Sequence, residues 1–240
     1  MKIAVFGDSF AEEYNQTKIQ PFWWQALGEK YNVTNYGLSA SNLFYSFDAF
    51  QREHDRYDKI IFLVTSPGRL RIVTNIPDLH SNHRYIPSHV MSEYHISRIE
   101  KEGTSTINDL LIEIYNAARV YFLHLRDFKY ENTVAGLFVN EIKRIRSDSI
   151  LIPCFADSYG TKTEFSLIDV CDRENIAWGL DRIKTMGYTD RRACHMTVEN
   201  NLILAEKIDQ AIKTNSELSL TINDFVIPSM DSKNQYIESL

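Results

Sequence analysis

Residues Met1–Phe10 read MKIAVFGDSF, and they decide the fold class. The apolar run Ile3–Phe6 is typical of a buried strand, and it leads directly into Gly7-Asp8-Ser9. The carboxyl end of such a strand is where α/β sheets bind their ligands. If a helix begins at the next residue, Ser9 lies in the positive field of its amino end, and the Ser9 N–H faces any oxyanion formed there. We therefore predict an α/β fold with Ser9 as a candidate nucleophile; the alternative is a simple helix cap.

A candidate base lies near the other end of the chain. Apolar residues recur at helical spacing through Val198–Lys213, and Thr197 is a suitable N-cap for that helix. His195 is therefore expected on a loop just before this late helix. Loops held by a rigid scaffold are where catalytic side chains concentrate. Because a serine hydroxyl needs a base to become a nucleophile, our hypothesis pairs His195 with Ser9.

These two ends of the chain resemble the SGNH/GDSL hydrolase family. The shared features are a first strand that ends in Gly7-Asp8-Ser9, a later Asn35-Tyr36-Gly37, and His195 before the last helix. The resemblance extends over most of residues 1–213. It implies a three-layer α/β/α, flavodoxin-like sandwich around a central, mostly parallel five-stranded sheet. It also implies a Ser-His-Asp triad, an oxyanion hole of serine N–H, glycine N–H and asparagine side chain, and no metal or other cofactor.

The resemblance assigns roles to individual positions. Ser9 matches the nucleophile, whose N–H also joins the oxyanion hole, His195 matches the general base, and Gly37 matches the oxyanion glycine. Where the family has Gly-x-Asn-Asp after the third strand, this chain has Val64-Thr65-Ser66-Pro67, with Ser66 in place of the asparagine. A hydroxyl can donate one hydrogen bond, although it reaches less far than an amide. Loss of one oxyanion donor typically costs about 100–1,000-fold in turnover. The alternative is that this segment only forms a turn.

The acid of the triad has no match at the family's position. The family's acid stands three residues before the histidine, and that position holds Arg192 here. Asp190 is the nearest carboxylate, and a loop could bring it to the imidazole, where it would fix the tautomer and stabilise the imidazolium. Two alternatives stay open: Asp190 pairs with Arg191 on the surface, or a Ser–His dyad works without an acid. Arg192 beside the imidazole would lower the pKa of the ring. Asp157 is a reserve acid, with a role in a turn as its alternative.

Three further residues are expected to contact the substrate: Asp8, Asn42 and Arg69. Asp8 stands beside the nucleophile. Arg69 either supplies charge that compensates for the missing asparagine or binds an anionic part of the substrate. Asn42 begins an aromatic stretch, residues 42–50, which lines the pocket or, as the alternative, packs in the core.

The composition fits one domain with an ample core. The chain has 240 residues, of which 44% are hydrophobic, and a formal net charge of −6. This acidic balance argues against a general nucleic-acid binder. The three cysteines show no metal spacing, which favours reduced thiols in the cytoplasm. No signal peptide or membrane-length apolar run is visible, so we expect a cytoplasmic protein without a membrane partner; incorporation into a virion would need no signal either.

Two segments stand apart from the core of the predicted hydrolase-like domain, residues 1–213. Residues 70–100 lack periodicity and contain four histidines at spacings that match no metal motif, and we interpret them as a lid over the pocket. Residues 214–240 form an extension that is either a loose tail or docks on a neighbouring subunit of a homo-oligomer. The remaining predicted elements are helices over Thr104–Phe128 and Thr133–Arg146 and strands over Val33–Tyr36, Lys59–Val64, Ser149–Phe155 and Asn175–Leu180.

The expected function is therefore that of a serine hydrolase that cleaves a carboxylic ester through an acyl-enzyme. By resemblance, the substrate is a small acyl ester, such as an O-acetyl group on a carbohydrate. The alternatives from other classes are a non-catalytic binding or virion-associated interaction protein and an acyltransferase that passes the acyl group to a sugar.

Overall fold

The computed structural model describes residues 1–11, 21–38, 41–71, 79–81, 84–86, 90–91, 109–155, 158–159, 164–171 and 196–226. At its centre, four parallel strands form a sheet in the order β2-β1-β3-β8. The strands are β1 (Lys2–Phe6), β2 (Asn32–Asn35), β3 (Lys59–Val64) and β8 (Ile150–Pro153). Of the five predicted strands, these four are described, and the segment Asn175–Leu180 lies outside the described residues.

The described helices are α1 (Trp23–Gly28), α2 (Leu43–Glu53), α3 (Asp109–Val120), α4 (Phe128–Ile145) and α5 (Val198–Thr214). The two middle helices differ from their predicted bounds. Asp127 is the N-cap of α4 and accepts hydrogen bonds from two backbone N–H groups of its first turn. Because this cap starts a new helix, α3 gives way to a π-helical turn, Tyr121–Leu125, and α4 begins five residues earlier than predicted. None of the described helices is both long and apolar enough to cross a membrane.

Helices cover both faces of the sheet. In β1, Ile3 and Val5 pack in one apolar cluster with residues of α1 and α5, whereas Ala4 and Phe6 pack in a second cluster with residues of α2 and α4. Because a strand covered on both faces has no solvent-facing side, its sequence is a continuous apolar run. This is why the sequence alone identifies β1 and β3. The described residues thus form a mixed α/β fold around a parallel sheet.

Parallel pairing brings the ends of all four strands to one edge of the sheet. We call this the carboxyl edge; it comprises Gly7–Ala11, Tyr36–Leu38, Ser41, Thr65–Arg69 and Cys154–Phe155. We call the opposite side, where the strands begin, the amino edge; it comprises Lys30–Tyr31, His54–Asp58 and Arg146–Ser149.

The predicted lid contains short antiparallel pairs. β4 (Leu70–Arg71) pairs with β7 (Val90–Met91), and β5 (Leu79–Ser81) pairs with β6 (Arg84–Ile86). Strands of two or three residues are too short to show an alternating pattern, so the sequence did not indicate them. The role of this segment as a lid stays a prediction.

The first part of the C-terminal extension packs against its own chain. The Val226 N–H donates to Asn200 Oδ1 and the Asn200 amide donates back to the Val226 carbonyl, both at 2.9 Å. Phe225 is buried and stacks on Phe165, with ring centroids 5.3 Å apart. Of the two alternatives for the extension, a loose tail is therefore wrong for residues 215–226, and residues 227–240 lie outside the described part.

Candidate active site

Ser9 lies in a tight turn at the carboxyl edge, directly after β1. The Ala11 N–H donates to the Asp8 carbonyl (2.9 Å), and the Phe10 N–H donates to Asp8 Oδ1 (3.1 Å). Because both bonds span Ser9, Asp8 determines the local backbone. Within Gly7–Ala11 every residue is buried except Ser9, which is half-buried. Ser9 is thus the residue of this turn that a molecule at the carboxyl edge could reach.

The Asp8 carboxylate is completely buried and fully engaged by the protein. Its Oδ2 accepts a hydrogen bond from Thr65 Oγ1 (2.7 Å) and pairs with Arg69 Nη1 (3.0 Å). Its Oδ1 lies 3.8 Å from Cys154 Sγ in addition to its bond with the Phe10 N–H. A buried charge is tolerated only when it is paired and hydrogen-bonded, as here. Asp8 was predicted to contact substrate; the structure places it beneath the Ser9 turn.

Arg69, predicted to assist with its charge, is also engaged by the protein. Its Nη1 donates to the Ser41 carbonyl (2.9 Å) as well as pairing with Asp8. Its guanidinium lies 5.0 Å from the ring centroid of Phe155, and the side chain is only 15% exposed. Arg69 therefore contacts the segments that follow β1, β2 and β8 from its own position after β3.

Gly37 lies close to the Ser9 turn, but its N–H already has an acceptor. The Gly37 N–H donates to Asn35 Oδ1 (2.8 Å), and the amide of Asn35 donates to the Ala11 carbonyl. The neighbouring Leu38 N–H donates to the Gly7 carbonyl (3.1 Å). An oxyanion would therefore have to share the Gly37 N–H with Asn35 or displace it.

Ser66 and Asn42 both take part in local backbone structure. Ser66 Oγ accepts a hydrogen bond from the Gly68 N–H (3.3 Å), as the turn alternative predicts. Asn42 is the N-cap of α2, where its side chain accepts from the Tyr45 N–H (2.9 Å). A cap at this position starts the aromatic helix, whose Phe47 and Phe50 are buried.

His195, Asp190, Arg191, Arg192 and Asp157 lie outside the described residues. The residue that follows His195, however, is connected to the residue that follows Ser9. The Phe10 carbonyl accepts from Trp23 Nε1 (2.9 Å), the Trp23 N–H donates to Asn201 Oδ1 (3.2 Å), and the Asn201 amide donates to the Met196 carbonyl (3.2 Å). Phe10 and Met196 also belong to the same buried cluster. We call this chain of hydrogen bonds the Trp23–Asn201 bridge.

Burial perturbs two titratable groups near the carboxyl edge. Burial raises the pKa of the Cys154 thiol well above its ordinary value, and the nearby Asp8 charge raises it further. Burial likewise raises the pKa of the Tyr159 hydroxyl. Both groups are therefore neutral at physiological pH, and Cys154 is a packed thiol rather than a reactive one.

An open groove of about 670 Å³ runs along α4 beside Tyr159. It is lined by Lys129, Asn132, Thr133, Gly136, Leu137, Asn140 and Tyr159. Among the described side chains, no group of histidine, cysteine or carboxylate residues is arranged to hold a metal ion.

Sequence reasoning missed Thr65, Asn35, Trp23 and Asn201 as parts of this region. Thr65 and Asn35 each lie within a recognised segment but were given no role there, although their position at a strand end was a usable signal. Trp23 and Asn201 are 178 residues apart, and no local pattern indicates that they meet.

The comparisons with known proteins give no relative. No protein-family model matches the chain, no curated protein matches it, and no solved structure matches it. A function must therefore be inferred from the residues and their geometry.

Proposed function

We propose that the chain is a serine hydrolase of the SGNH/GDSL type that cleaves a carboxylic ester. Ser9 is the nucleophile and His195 the general base, with Asp190 orienting the imidazole. The proposal includes the complete architecture, a three-layer, flavodoxin-like α/β/α sandwich in which a fifth strand joins the four described ones. The helices on both faces of the parallel sheet agree with this architecture.

The observation that supports the proposal most is the Trp23–Asn201 bridge. It connects Phe10, the neighbour of Ser9, to Met196, the neighbour of His195, through three hydrogen bonds. Phe10 and Met196 lie near opposite ends of the chain, so only the tertiary fold brings their surroundings together. A serine and a histidine whose neighbours are linked in this way are good candidates for a nucleophile–base pair.

The chemistry follows from the roles of these groups. His195 removes the proton of the Ser9 hydroxyl as its oxygen attacks the ester carbonyl, and the negative charge moves to the carbonyl oxygen. The imidazolium then protonates the leaving alcohol, which departs and leaves an acyl-enzyme. Water, deprotonated by the same imidazole, attacks the acyl group, and Ser9 is released with its proton restored.

The oxyanion hole in this proposal consists of the Ser9 N–H, the Gly37 N–H and the Ser66 hydroxyl. Such donors act because they are aimed at the position where negative charge develops. Ser66 Oγ accepts a hydrogen bond from the Gly68 N–H, and in this proposal its hydroxyl donates to the oxyanion. Gly37 must exchange the Asn35 oxygen for the oxyanion when the substrate binds.

The substrate class we propose is a small acyl ester, with an O-acetyl group on a carbohydrate as the favoured example by resemblance. No cofactor is part of the mechanism. We also propose a cytoplasmic location. Cys154 is a buried thiol that takes part in no disulfide, which fits a reducing compartment.

One observation favours a second candidate, a non-catalytic binding protein with the same fold. The Gly37 N–H is hydrogen-bonded to Asn35, and the family's oxyanion asparagine is Ser66 here. A site that lacks oxyanion donors can still bind a partner at the carboxyl edge. An acyltransferase would use the same acyl-enzyme and differ only in the acceptor.

A fluorophosphonate probe, which reacts covalently with activated serines, tests the proposal. We expect the wild-type chain to be labelled on Ser9, and both Ser9→Ala and His195→Ala to abolish labelling. Ser147→Ala is the matched control, because Ser147 is an exposed serine at the amino edge, and it should be labelled like the wild type. A folded wild type that is not labelled would reject the hydrolase in favour of the binding protein.

Turnover rates measured on aryl esters of increasing acyl length then define the preferred acyl group of the substrate. We expect acetyl esters to be turned over faster than butyryl and longer ones. Supplying a sugar alcohol as acceptor separates hydrolysis from acyl transfer, because a transferase would form the acylated sugar in preference to free acid.

A further inference from the structure

We propose that Arg69 is a positioning residue that holds Ser9 in its reactive conformation through Asp8. This inference rests on the proposed function, since it concerns the geometry of the same nucleophile. It replaces the expectation that Arg69 meets the substrate directly.

The first step is the control of Ser9 by Asp8. Asp8 closes the turn around Ser9 with two hydrogen bonds. Its carbonyl accepts from the Ala11 N–H, and its Oδ1 accepts from the Phe10 N–H. A rotation of the Asp8 side chain would therefore break a bond that fixes the backbone next to Ser9. The position of the Ser9 hydroxyl depends on where the Asp8 carboxylate is held.

The second step is the control of Asp8 by Arg69. The other carboxylate oxygen of Asp8 is held by Arg69 Nη1 at 3.0 Å and by the Thr65 hydroxyl at 2.7 Å. Each terminal Nη nitrogen of a guanidinium carries two protons, and the second donor contact of Arg69 Nη1 is to the Ser41 carbonyl at 2.9 Å. Ser41 in turn donates from its hydroxyl to the Gly7 carbonyl (3.2 Å).

The third step is the rigidity of Arg69 itself. Its guanidinium packs over the Phe155 ring, and the side chain is 15% exposed. A planar guanidinium held over a ring loses little conformational freedom when it forms these hydrogen bonds. A lysine ammonium cannot reproduce the same set of bonds. Arg69 thus fixes the Ser9 turn relative to the segments after β2, β3 and β8. A displacement of about 1 Å at a reacting atom can cost roughly 100-fold in rate.

The chain offers a matched control in Arg146. It is 19% exposed, pairs with Asp148 at 3.1 Å, and donates to the carbonyls of His54, Tyr57 and Asp58. It connects segments of the amino edge in the way that Arg69 connects those of the carboxyl edge. Its loss should therefore disturb packing without disturbing Ser9.

The experiment measures the second-order rate of fluorophosphonate labelling, and kcat and KM for a neutral aryl acetate, on protein shown by circular dichroism to be folded. We expect Arg69→Met to lower the labelling rate and kcat by about 10- to 100-fold with KM changed less than threefold. Arg146→Met should change neither rate by more than twofold. Where Arg69→Met does not fold, Arg69→Lys is judged by the same rates against Arg146→Lys, with a smaller loss expected because the charge is retained.

Each other outcome overturns the inference. Labelling of a folded Arg69 variant at the wild-type rate would show that Arg69 does not position Ser9. A raised KM confined to anionic esters would instead assign Arg69 to substrate binding. An equal loss in the Arg69 and Arg146 variants would reduce its role to general packing. Absence of labelling in the wild type is a separate result, because it rejects the proposed function before Arg69 is considered.

Discussion

Two arginines connect the strands of this sheet at its opposite edges, and their partners differ. At the carboxyl edge, Arg69 pairs with Asp8, a completely buried carboxylate in the turn that contains Ser9. At the amino edge, Arg146 binds three main-chain carbonyls and pairs with Asp148, whose side chain is 41% exposed. Partial burial works to raise the pKa of Asp148, but hydrogen bonds from Arg146 bring that pKa below its ordinary value.

The difference shows where this fold depends on single side chains. A half-exposed ion pair can be replaced by water when one partner is lost, whereas a buried pair leaves an uncompensated charge. Main-chain carbonyls at the amino edge remain in place whatever side chain faces them. The carboxyl edge should therefore be sensitive to substitution, and the amino edge tolerant.

The largest expected effect is on stability, from Asp8→Asn. This change keeps the shape of the side chain but leaves the charge of Arg69 without a buried partner, and it should lower the free energy of unfolding by about 3–5 kcal/mol. Asp148→Asn is the amino-edge control, with an expected loss of about 0–1 kcal/mol. Urea unfolding measures both. Equal losses would mean that the two edges do not differ.

A second test asks whether the amino edge has a sensitive carboxylate of its own. Burial would raise the pKa of Asp209, but hydrogen bonds from Lys213, Lys30 and Tyr31 hold it well below its ordinary value. Asp209→Asn weakens these bonds and should cost about 1.5–3 kcal/mol at pH 7. The contribution of Asp209 is fully present above the ordinary pKa of about 3.9 and is lost as the pH falls toward the lower pKa of the folded state.

Unfolding free energies measured between pH 6 and pH 2 check this prediction. The difference in unfolding free energy between the wild type and Asp209→Asn should become smaller as the pH falls. Glu206→Gln, an exposed position on the same helix, is the control, and it should change the free energy of unfolding at pH 7 by less than about 0.5 kcal/mol. A gap that stays constant down to pH 2 would contradict the role of the Asp209 charge.

Two glycines test the difference between the carboxyl and amino edges by their packing. A Cβ at Gly7, just before the Ser9 turn, would lie 2.7 Å from Leu63 Cβ, whereas a Cβ at Gly28 would meet no atom within 4 Å. Gly7→Ala should therefore cost about 1–3 kcal/mol through overpacking. Gly28→Ala should be neutral or stabilising by about 0.4–1 kcal/mol, because it restricts the unfolded chain. Thermal unfolding distinguishes the two, and a neutral Gly7→Ala would show that the turn can move away from β3.

The smallest expected effect comes from Tyr31→Phe at the amino edge. The hydrogen bond to Asp209, together with burial, raises the pKa of Tyr31 to about 12. Loss of this bond should cost about 1 kcal/mol at pH 7. Because the folded-state pKa is raised, the contribution of Tyr31 is complete below pH 10 and is lost as the pH rises toward 12. Unfolding at pH 8–12 should show a weaker alkaline loss of stability in Tyr31→Phe than in the wild type. Exposed Tyr130→Phe is the control, with an expected change of less than about 0.5 kcal/mol at pH 7.

Several elements of this protein could be read from the sequence because their signals are local. The strand Lys59–Val64 has its predicted bounds, and the last helix begins at Val198 after the predicted cap Thr197, which accepts from the Asn200 N–H. The caps at Asp127 and Asn42 are also local signals. The apolar periodicity over Thr104–Phe128 suggested a helix that runs past Asp127, and the aromatic stretch after Asn42 suggested that Asn42 contacts the substrate. Ser9 could be selected as a candidate because the segment Gly7-Asp8-Ser9 directly follows a buried strand.

The contacts around Ser9 could not be read in this way. Asp8 and Thr65 are 57 residues apart, and Trp23 and Asn201 are 178 apart, so no window of sequence contains both partners. Arg69 was predicted to contact the substrate, whereas its partners in the structure are Asp8, Ser41 and Phe155.

The sequence by itself determined the parallel α/β class, the positions of the four described strands to within two residues, and the residues that follow these strands at the carboxyl edge. These follow from backbone preferences and hydrophobic periodicity, which act over a few neighbouring residues. Only the tertiary structure decided that Asp8 and Arg69 face each other in the interior and that Asn35 occupies the Gly37 N–H. Such pairings arise because buried polar groups must find partners among whatever groups folding brings beside them.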